Sequence, residues 1–137
     1  MNIAIINGPN LNLLGTREPA IYGSTTFVSF LEELKLQFPQ IIFTYYQSNI
    51  EGDLINEIQR VGFSFEGIIL NPGGYTHTSV AIGDALASIT TPVVEVHISN
   101  IFGREDFRKI SHVSAKAKGV ISGLGLKGYA LAVNYFL

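Results

Sequence analysis

Two kinds of hydrophobic pattern alternate along the chain, and that alternation restricts the possible folds more than any other feature. Short apolar or β-branched runs stand at 2–7 (NIAIIN), 40–46 (QIIFTYY), 66–71 (EGIILN) and 93–98 (VVEVHI), with a weaker fifth at 119–122 (GVIS). Near-continuous runs of this length are the pattern of strands buried on both faces. Between them the apolar positions fall three and four apart, as on one side of a helix. Phe27, Leu31, Leu34 and Phe38 make one stripe, preceded by the candidate caps Ser24 and Thr25 and stopped by Pro39. Leu54, Ile58 and Val61 make a second, ended by Gly62, and Ile82, Ala85, Leu86 and Ile89 a third, ended near Pro92. The stretch from Leu126 to Leu137 is apolar on several sides, as expected of a helix packed against a sheet or a partner.

Strands separated by helices must return through right-handed crossovers, which makes the sheet parallel and covers both of its faces. Five strands in a chain this short suggest a flavodoxin-like order, so the predicted fold is α/β: a flavodoxin-like, doubly wound, five-stranded parallel sheet of order 2-1-3-4-5. With no internal repeat, low-complexity tract or linker, residues 1–137 are expected to form a single domain. In such a sheet a ligand binds beyond the carboxyl ends of the strands, at the point where the strand order reverses. The polar, glycine-rich segments follow the first strand (NGPNLNLLGTREPAIYG), the third (NPGGYTHTS) and the fourth (HISNIFGRE), so all three are expected at that edge.

Composition removes several function classes. Nine basic and eleven acidic residues give a net charge of -2 with no basic run to follow a phosphate backbone, which argues against nucleic acid. Without cysteine there is no disulfide, thiolate metal site or thiol nucleophile. No apolar stretch approaches the roughly 20 residues of a membrane span, and a cytoplasmic protein is expected. Hydrophobic residues make up 47% and charged residues only 15%, a balance that suggests other subunits cover part of the surface. GxGxxG after the first strand and GxxxxGK[ST] are both missing, the three histidines lack close ligand spacing, and no lysine lies inside a predicted strand. Dinucleotide, P-loop, zinc and Schiff-base chemistry thus have no support, and acid–base chemistry remains.

The loops hold the groups for it. Asn10, Arg17 and Tyr22 share the first loop. A free tyrosine titrates near pKa ~10, but an adjacent guanidinium favours the phenolate and can make it a base near neutrality. The bland alternative is a surface arginine and a packed tyrosine. Asn71-Pro72-Gly73-Gly74 leads into Tyr75-Thr76-His77-Thr78-Ser79 at a helix start, which groups amides, hydroxyls and an imidazole for an anionic or polyhydroxylated ligand, or makes an ordinary capped turn. Glu95 and His97, two apart in the fourth strand, share a sheet face, and a titratable pair in an apolar strand is costly unless partnered. Arg104 and Arg108 share a face if their stretch is helical, as a ligand clamp or a solvated edge. His112 has no obvious partner.

Taken together and in order, NGPNLNLLGTREPAIYG, NPGGYTHTS, EVHISNIFGREDFRKIS and GVISGLGLKGYALAV resemble type II 3-dehydroquinate dehydratase over essentially the whole chain. The resemblance implies a hydro-lyase that reversibly eliminates water, anti and through an enolate, from 3-dehydroquinate to 3-dehydroshikimate in the shikimate pathway. It implies Tyr22 as base with Arg17 lowering its pKa, Asn10 holding a water at the enolate, and His97, oriented by Glu95, protonating the departing hydroxyl. Asn71, His77 and Arg108 match positions that hold ring hydroxyls, and the Ile98 and Ser99 amides match those that hold the carboxylate. Arg104 matches the first arginine after the fourth strand, and Asp84 a position near a subunit contact, serving the neighbouring site. The implied partner is a small carboxylated cyclic substrate, with no cofactor, no metal and no membrane, in a homo-oligomer of trimers assembling to a dodecamer. Two positions depart from the family pattern: Gly83 stands where a larger, often basic, residue is usual, and Ser114-Ala115 where Ser-Pro is common.

Other readings are the same reaction in quinate breakdown, a non-catalytic flavodoxin-like module for a flavin or an anionic regulator, and a hydrolase using Ser79 or Ser99. The last lacks G-x-S-x-G at either serine.

Overall fold

The computed structural model describes residues 1–16, 20 and 24–137. Its five strands are β1 (Asn2–Asn7), β2 (Ile42–Gln47), β3 (Gly67–Asn71), β4 (Val93–His97) and β5 (Gly119–Ser122). All are parallel and lie in the predicted order β2-β1-β3-β4-β5. The helices are α1 (Phe27–Gln37), α2 (Glu51–Val61), α3 (Val80–Ser88) and α4 (Lys127–Phe136).

Successive side chains of a strand point to opposite faces, and this splits the core in two. Ile3, Ile5, Ile69, Val94 and Val96 pack on one face against Leu31 and Leu34 of α1 and Tyr129 and Val133 of α4. On the other face Ala4, Ile6, Ile68 and Leu70 pack against Leu54 and Ile58 of α2 and Ile82 and Leu86 of α3. Each fully buried isoleucine contributes about 1.5–3 kcal/mol relative to an exposed one, so a one-residue slip in β1 would exchange the two sets and forfeit both.

Three local expectations need correction. β2 and β5 are not buried on both faces: they are the sheet's edges, and in the single chain Ile42 and Val120 are exposed. Helix α1 is capped by Thr26, whose hydroxyl accepts from the Ser29 amide at 3.2 Å, rather than by Ser24 or Thr25, because Thr26 is the residue immediately before the first helical turn. The stretch around the two arginines is not one helix. Ile101–Gly103 and Asp106–Lys109 are separate 3-10 turns with Arg104 between them, since Gly103 and the extended backbone of Arg104 interrupt any longer run.

Candidate active site

The loops after β1, β3 and β4 meet in a cavity of ≈ 130 Å³ at the carboxyl edge of the sheet. Order reverses between β1 and β3, and here the two loops touch. The Gly8 amide donates to the Asn71 carbonyl at 2.7 Å, and a Cβ on Gly8 would lie 2.5 Å from the Pro72 carbonyl oxygen. Asn10 follows in the left-handed region (φ 71°), which asparagine tolerates better than most residues, and its amide donates to Asn49 Oδ1 at 2.9 Å.

From β3 comes Asn71, whose amide orientation is set by its surroundings. Its Nδ2 donates to the Tyr129 hydroxyl at 3.1 Å, and its Oδ1 accepts from the Gly73 amide at 3.1 Å. Tyr129 in turn donates to Asn7 Oδ1 at 2.8 Å. Burial pushes the Tyr129 phenol well above its usual range, against the partial opposition of the Asn71 hydrogen bond, so this tyrosine is unsuited to be a base. Residues 73–77 form a 3-10 turn, and Ser79 caps α3 by accepting from the Ile82 amide at 2.9 Å, so His77 precedes the helix instead of opening it. His77 Nδ1 donates to the Ile110 carbonyl at 2.7 Å, which leaves Nε2 as a hydrogen-bond acceptor. Burial lowers its pKa from 6.5, only partly offset by the Ile110 bond, and favours that neutral form.

β4 supplies the charged pair. Val94 and Val96 face α1 and α4, so Glu95 and His97 face the opposite side, as their spacing predicts. Glu95 is wholly buried and His97 nearly so. Glu95 Oε2 pairs with His97 Nε2, and the Ser114 hydroxyl lies 2.9 and 3.1 Å from the two carboxylate oxygens. With Nε2 engaged, Nδ1 is the ring nitrogen left for a ligand. The Ile98 and Ser99 amides beyond the strand donate to no backbone carbonyl among the described residues. Arg104 Nη1 donates to Ser99 Oγ at 3.3 Å, while Arg108 lies over the Phe107 ring at 4.9 Å and donates from Nε to Glu105 at 3.1 Å.

Asn10, Asn71, His77, His97, Ile98, Ser99, Arg104 and Arg108 all line this one cavity, with Glu95 directly behind His97. Both arginines reach it although they share no helix. Asp84 is exposed on α3 and does not line the cavity of its own chain. Arg17 and Tyr22 lie outside the described residues. Sequence reading passed over Asn7, Tyr129 and Ser111 and saw Ser114 only as a family departure. The one available signal was polarity out of place, Asn7 following the apolar run 3–6. Among the described residues there is no cluster of three or more His, Asp or Glu able to hold a metal, and no helix long and apolar enough to cross a membrane.

Cleft, charged pair and free amides coincide with a match to known proteins. Residues 1–137 match the family model described as Dehydroquinase class II. A protein named 3-dehydroquinate dehydratase from an Exiguobacterium strain is 52% identical over 135 residues, covering 98% of this chain and 92% of its own length. One named Catabolic 3-dehydroquinase from Phaeosphaeria nodorum is 52% identical over 136 residues, covering 98% and 90%. The crystal structure of type II dehydroquinase from Propionibacterium acnes superposes with a TM-score of 0.91 at 40% identity, covering 98% of this chain and 94% of that one.

Proposed function

The chain belongs to the class II dehydroquinases, and from that premise we propose how its residues divide the elimination of water from 3-dehydroquinate, the hydro-lyase activity of that family. A proton next to a ketone is weakly acidic, so its removal needs a placed base and charge stabilisation at the oxygen, and hydroxide leaves only if protonated. Tyr22 takes the proton, with the Arg17 guanidinium favouring its phenolate. Asn10 holds a water against the enolate oxygen. His97, charged and paired with Glu95, gives its proton to the departing hydroxyl, which leaves as water. Asn71, His77 and Arg108 hold the ring hydroxyls, the neutral His77 as an acceptor. The Ile98 and Ser99 amides, uncommitted to the backbone, take the carboxylate, and Arg104 adds positive charge beside Ser99.

The observation that carries this reading is a carboxylate-paired histidine opening into the same small cavity as two guanidiniums and two free amides. Purified protein given 3-dehydroquinate should develop the ultraviolet absorbance of the conjugated enone 3-dehydroshikimate. Tyr22→Phe should nearly abolish it, and retained turnover in that variant would remove the base assignment.

The same reading extends to assembly and place. Residues 1–137 act as one catalytic domain in the cytoplasm. Leu36, Phe63, Phe102 and Tyr135 are exposed in the single chain and open to cover by other copies, in keeping with a homo-oligomer, trimers building a dodecamer, in which Asp84 reaches a neighbouring site. Relatives of equal identity carry both the general and the catabolic name, so biosynthesis of aromatic amino acids and breakdown of quinate are both open to this chain. Gene neighbourhood decides between them.

A further inference from the structure

Ser111 and Ser114 stand outside the cavity, on the turn that leads to β5, and hold no role in the chemistry assigned above. Their hydrogen bonds nevertheless have only one consistent direction. Ser111 Oγ accepts from the Val113 amide at 3.0 Å and from the Ser114 amide at 2.9 Å, which occupies both of its lone pairs. Its own proton is therefore the one shared with Ser114 Oγ, 2.9 Å away. Ser114, accepting there, has its single proton left for Glu95, whose oxygens lie at 2.9 and 3.1 Å. The chain runs from backbone amides through Ser111 and Ser114 to the carboxylate, and each link polarises the next in the same sense. A carboxylate that accepts from Ser114 accepts from His97 as well, which puts a proton on His97 Nε2.

We propose that Ser114, oriented by Ser111, is a positioning residue that holds Glu95 as an ionised acceptor and so presents His97 to the cavity through Nδ1 as the proton donor. The inference rests on His97 being the acid of the proposed reaction. The same turn serves the other cavity histidine: the Ile110 carbonyl takes the His77 Nδ1 proton and leaves Nε2 as acceptor. Five residues, 110–114, thus give the two histidines opposite duties, His97 to donate and His77 to accept. Without Ser114, the buried carboxylate keeps one donor, and the proton it shares with His97 Nε2 moves toward Glu95; the ring loses positive charge and its Nδ1–H becomes a weaker acid toward the departing hydroxyl.

The test uses the full-length protein with Ser114→Ala, Ser114→Thr, Ser111→Ala and the double alanine variant, read by enone formation and by 15N shifts of the histidine rings. Removing a hydrogen bond to a charged group costs enough for a fall in kcat of about tenfold or more in Ser114→Ala, with KM nearly unchanged and the His97 Nε2 shift displaced. Ser114→Thr, which keeps the hydroxyl, should restore most of kcat. Because the two serines act in series, the double variant should be no slower than Ser114→Ala alone. Wild-type kcat in Ser114→Ala, an equal loss in Ser114→Thr, or additive losses in the double variant would each overturn the proposal. If Ser114→Ala does not fold, Ser111→Ala must still show a displaced His97 Nε2 shift, and an unmoved one sinks the idea. Absence of turnover in the wild type would instead remove the reading of His97 as acid, while the ring shifts continue to report the hydrogen-bond chain.

Discussion

Two largely buried polar chains, with Tyr45, Ser111 and Ser114 half-buried at their outer ends, reach the cavity from opposite faces of the sheet, and they differ in whether they carry charge. On the α1 and α4 face, Tyr45, Asn7, Tyr129 and Asn71 are linked by neutral hydrogen bonds of 3.4, 2.8 and 3.1 Å, with Phe27 stacked on Tyr45 and edge-on to Tyr129. Burial raises both phenols, only partly opposed by their asparagine partners, so this chain stays neutral and can fix positions but not move protons. On the α3 face, Ser111, Ser114, Glu95 and His97 end in a buried carboxylate and an imidazole. A buried carboxylate costs several kcal/mol unless its lone pairs are met, and here two donors meet them. One sheet edge thus holds a neutral wall and a charged wall, which end at the same cavity in Asn71 and His97.

The sharpest break in that comparison is His97→Ala. General acid catalysis contributes typically 10²–10⁴-fold, so kcat should fall by about that much while the protein stays folded and the neutral chain keeps its bonds. A stopped-time assay with near-ultraviolet circular dichroism measures both. A fall of less than about tenfold would place the acid elsewhere.

Next in size is Tyr129→Phe on the neutral wall. The phenol is fully buried and bridges the Asn7 and Asn71 side chains, so removing it leaves an acceptor and a donor without that partner, at about 1–3 kcal/mol each. Urea unfolding should show that loss of stability. In kinetics the loosened Asn71 should raise KM more than it lowers kcat, the reverse of the Ser114→Ala pattern. Equal effects on kcat would erase the distinction between the walls.

Gly83→Ala tests the charged wall from behind. Alanine in a helix interior gains up to about 1 kcal/mol over glycine, but a Cβ here would lie 2.2 Å from the His112 carbonyl oxygen, a backbone atom that must move. Overpacking of that kind costs about 1–3 kcal/mol, so the net change is a modest destabilisation. Glycine at this position lets the turn carrying Ser111 and Ser114 approach α3 closely, held also by the bond of 2.9 Å from the His112 amide to the Thr76 carbonyl. The small loss of stability should come with a kcat defect that Ser114→Ala does not deepen. A variant both stable and fully active would show that the turn tolerates displacement.

What was legible in the sequence follows from periodicity. The parallel sheet came from the alternation of elements and its order from having five strands in so short a chain, while the common face of Glu95 and His97 came from a spacing of two, because a strand allows no other outcome. Side chains that act through tertiary contacts left no such mark. Ser111 and Ser114 read as two hydroxyls in a polar loop, because their partner Glu95 is 19 residues from Ser114 and meets it only when β4 and the turn before β5 pack together. Tyr129 lies 122 residues from Asn7 for the same reason. Arg104 and Arg108 were placed at one site on the premise of a helix. Both line one cavity, but not by way of a helix, since Arg104 follows one short 3-10 turn and Arg108 belongs to the next.

The smallest predicted effect concerns His77, which lines the same cavity. Its desolvation lowers its pKa, and the Ile110 carbonyl, holding Nδ1–H, opposes this only in part. The folded protein therefore binds the His77 proton less readily than the unfolded chain does. Stability from this group is fully present above the unfolded value of 6.5 and is lost as pH falls through the lower folded value. A ring titration followed by NMR should give a midpoint below 6.5, and His77→Gln should flatten the acid side of the stability curve slightly. In the proposed reaction a cationic His77 can no longer accept from a ring hydroxyl, so KM should rise on acidification before kcat does. A midpoint above 6.5 would mean that His77 is held as a cation, and the cavity would then have two imidazolium donors and no histidine acceptor.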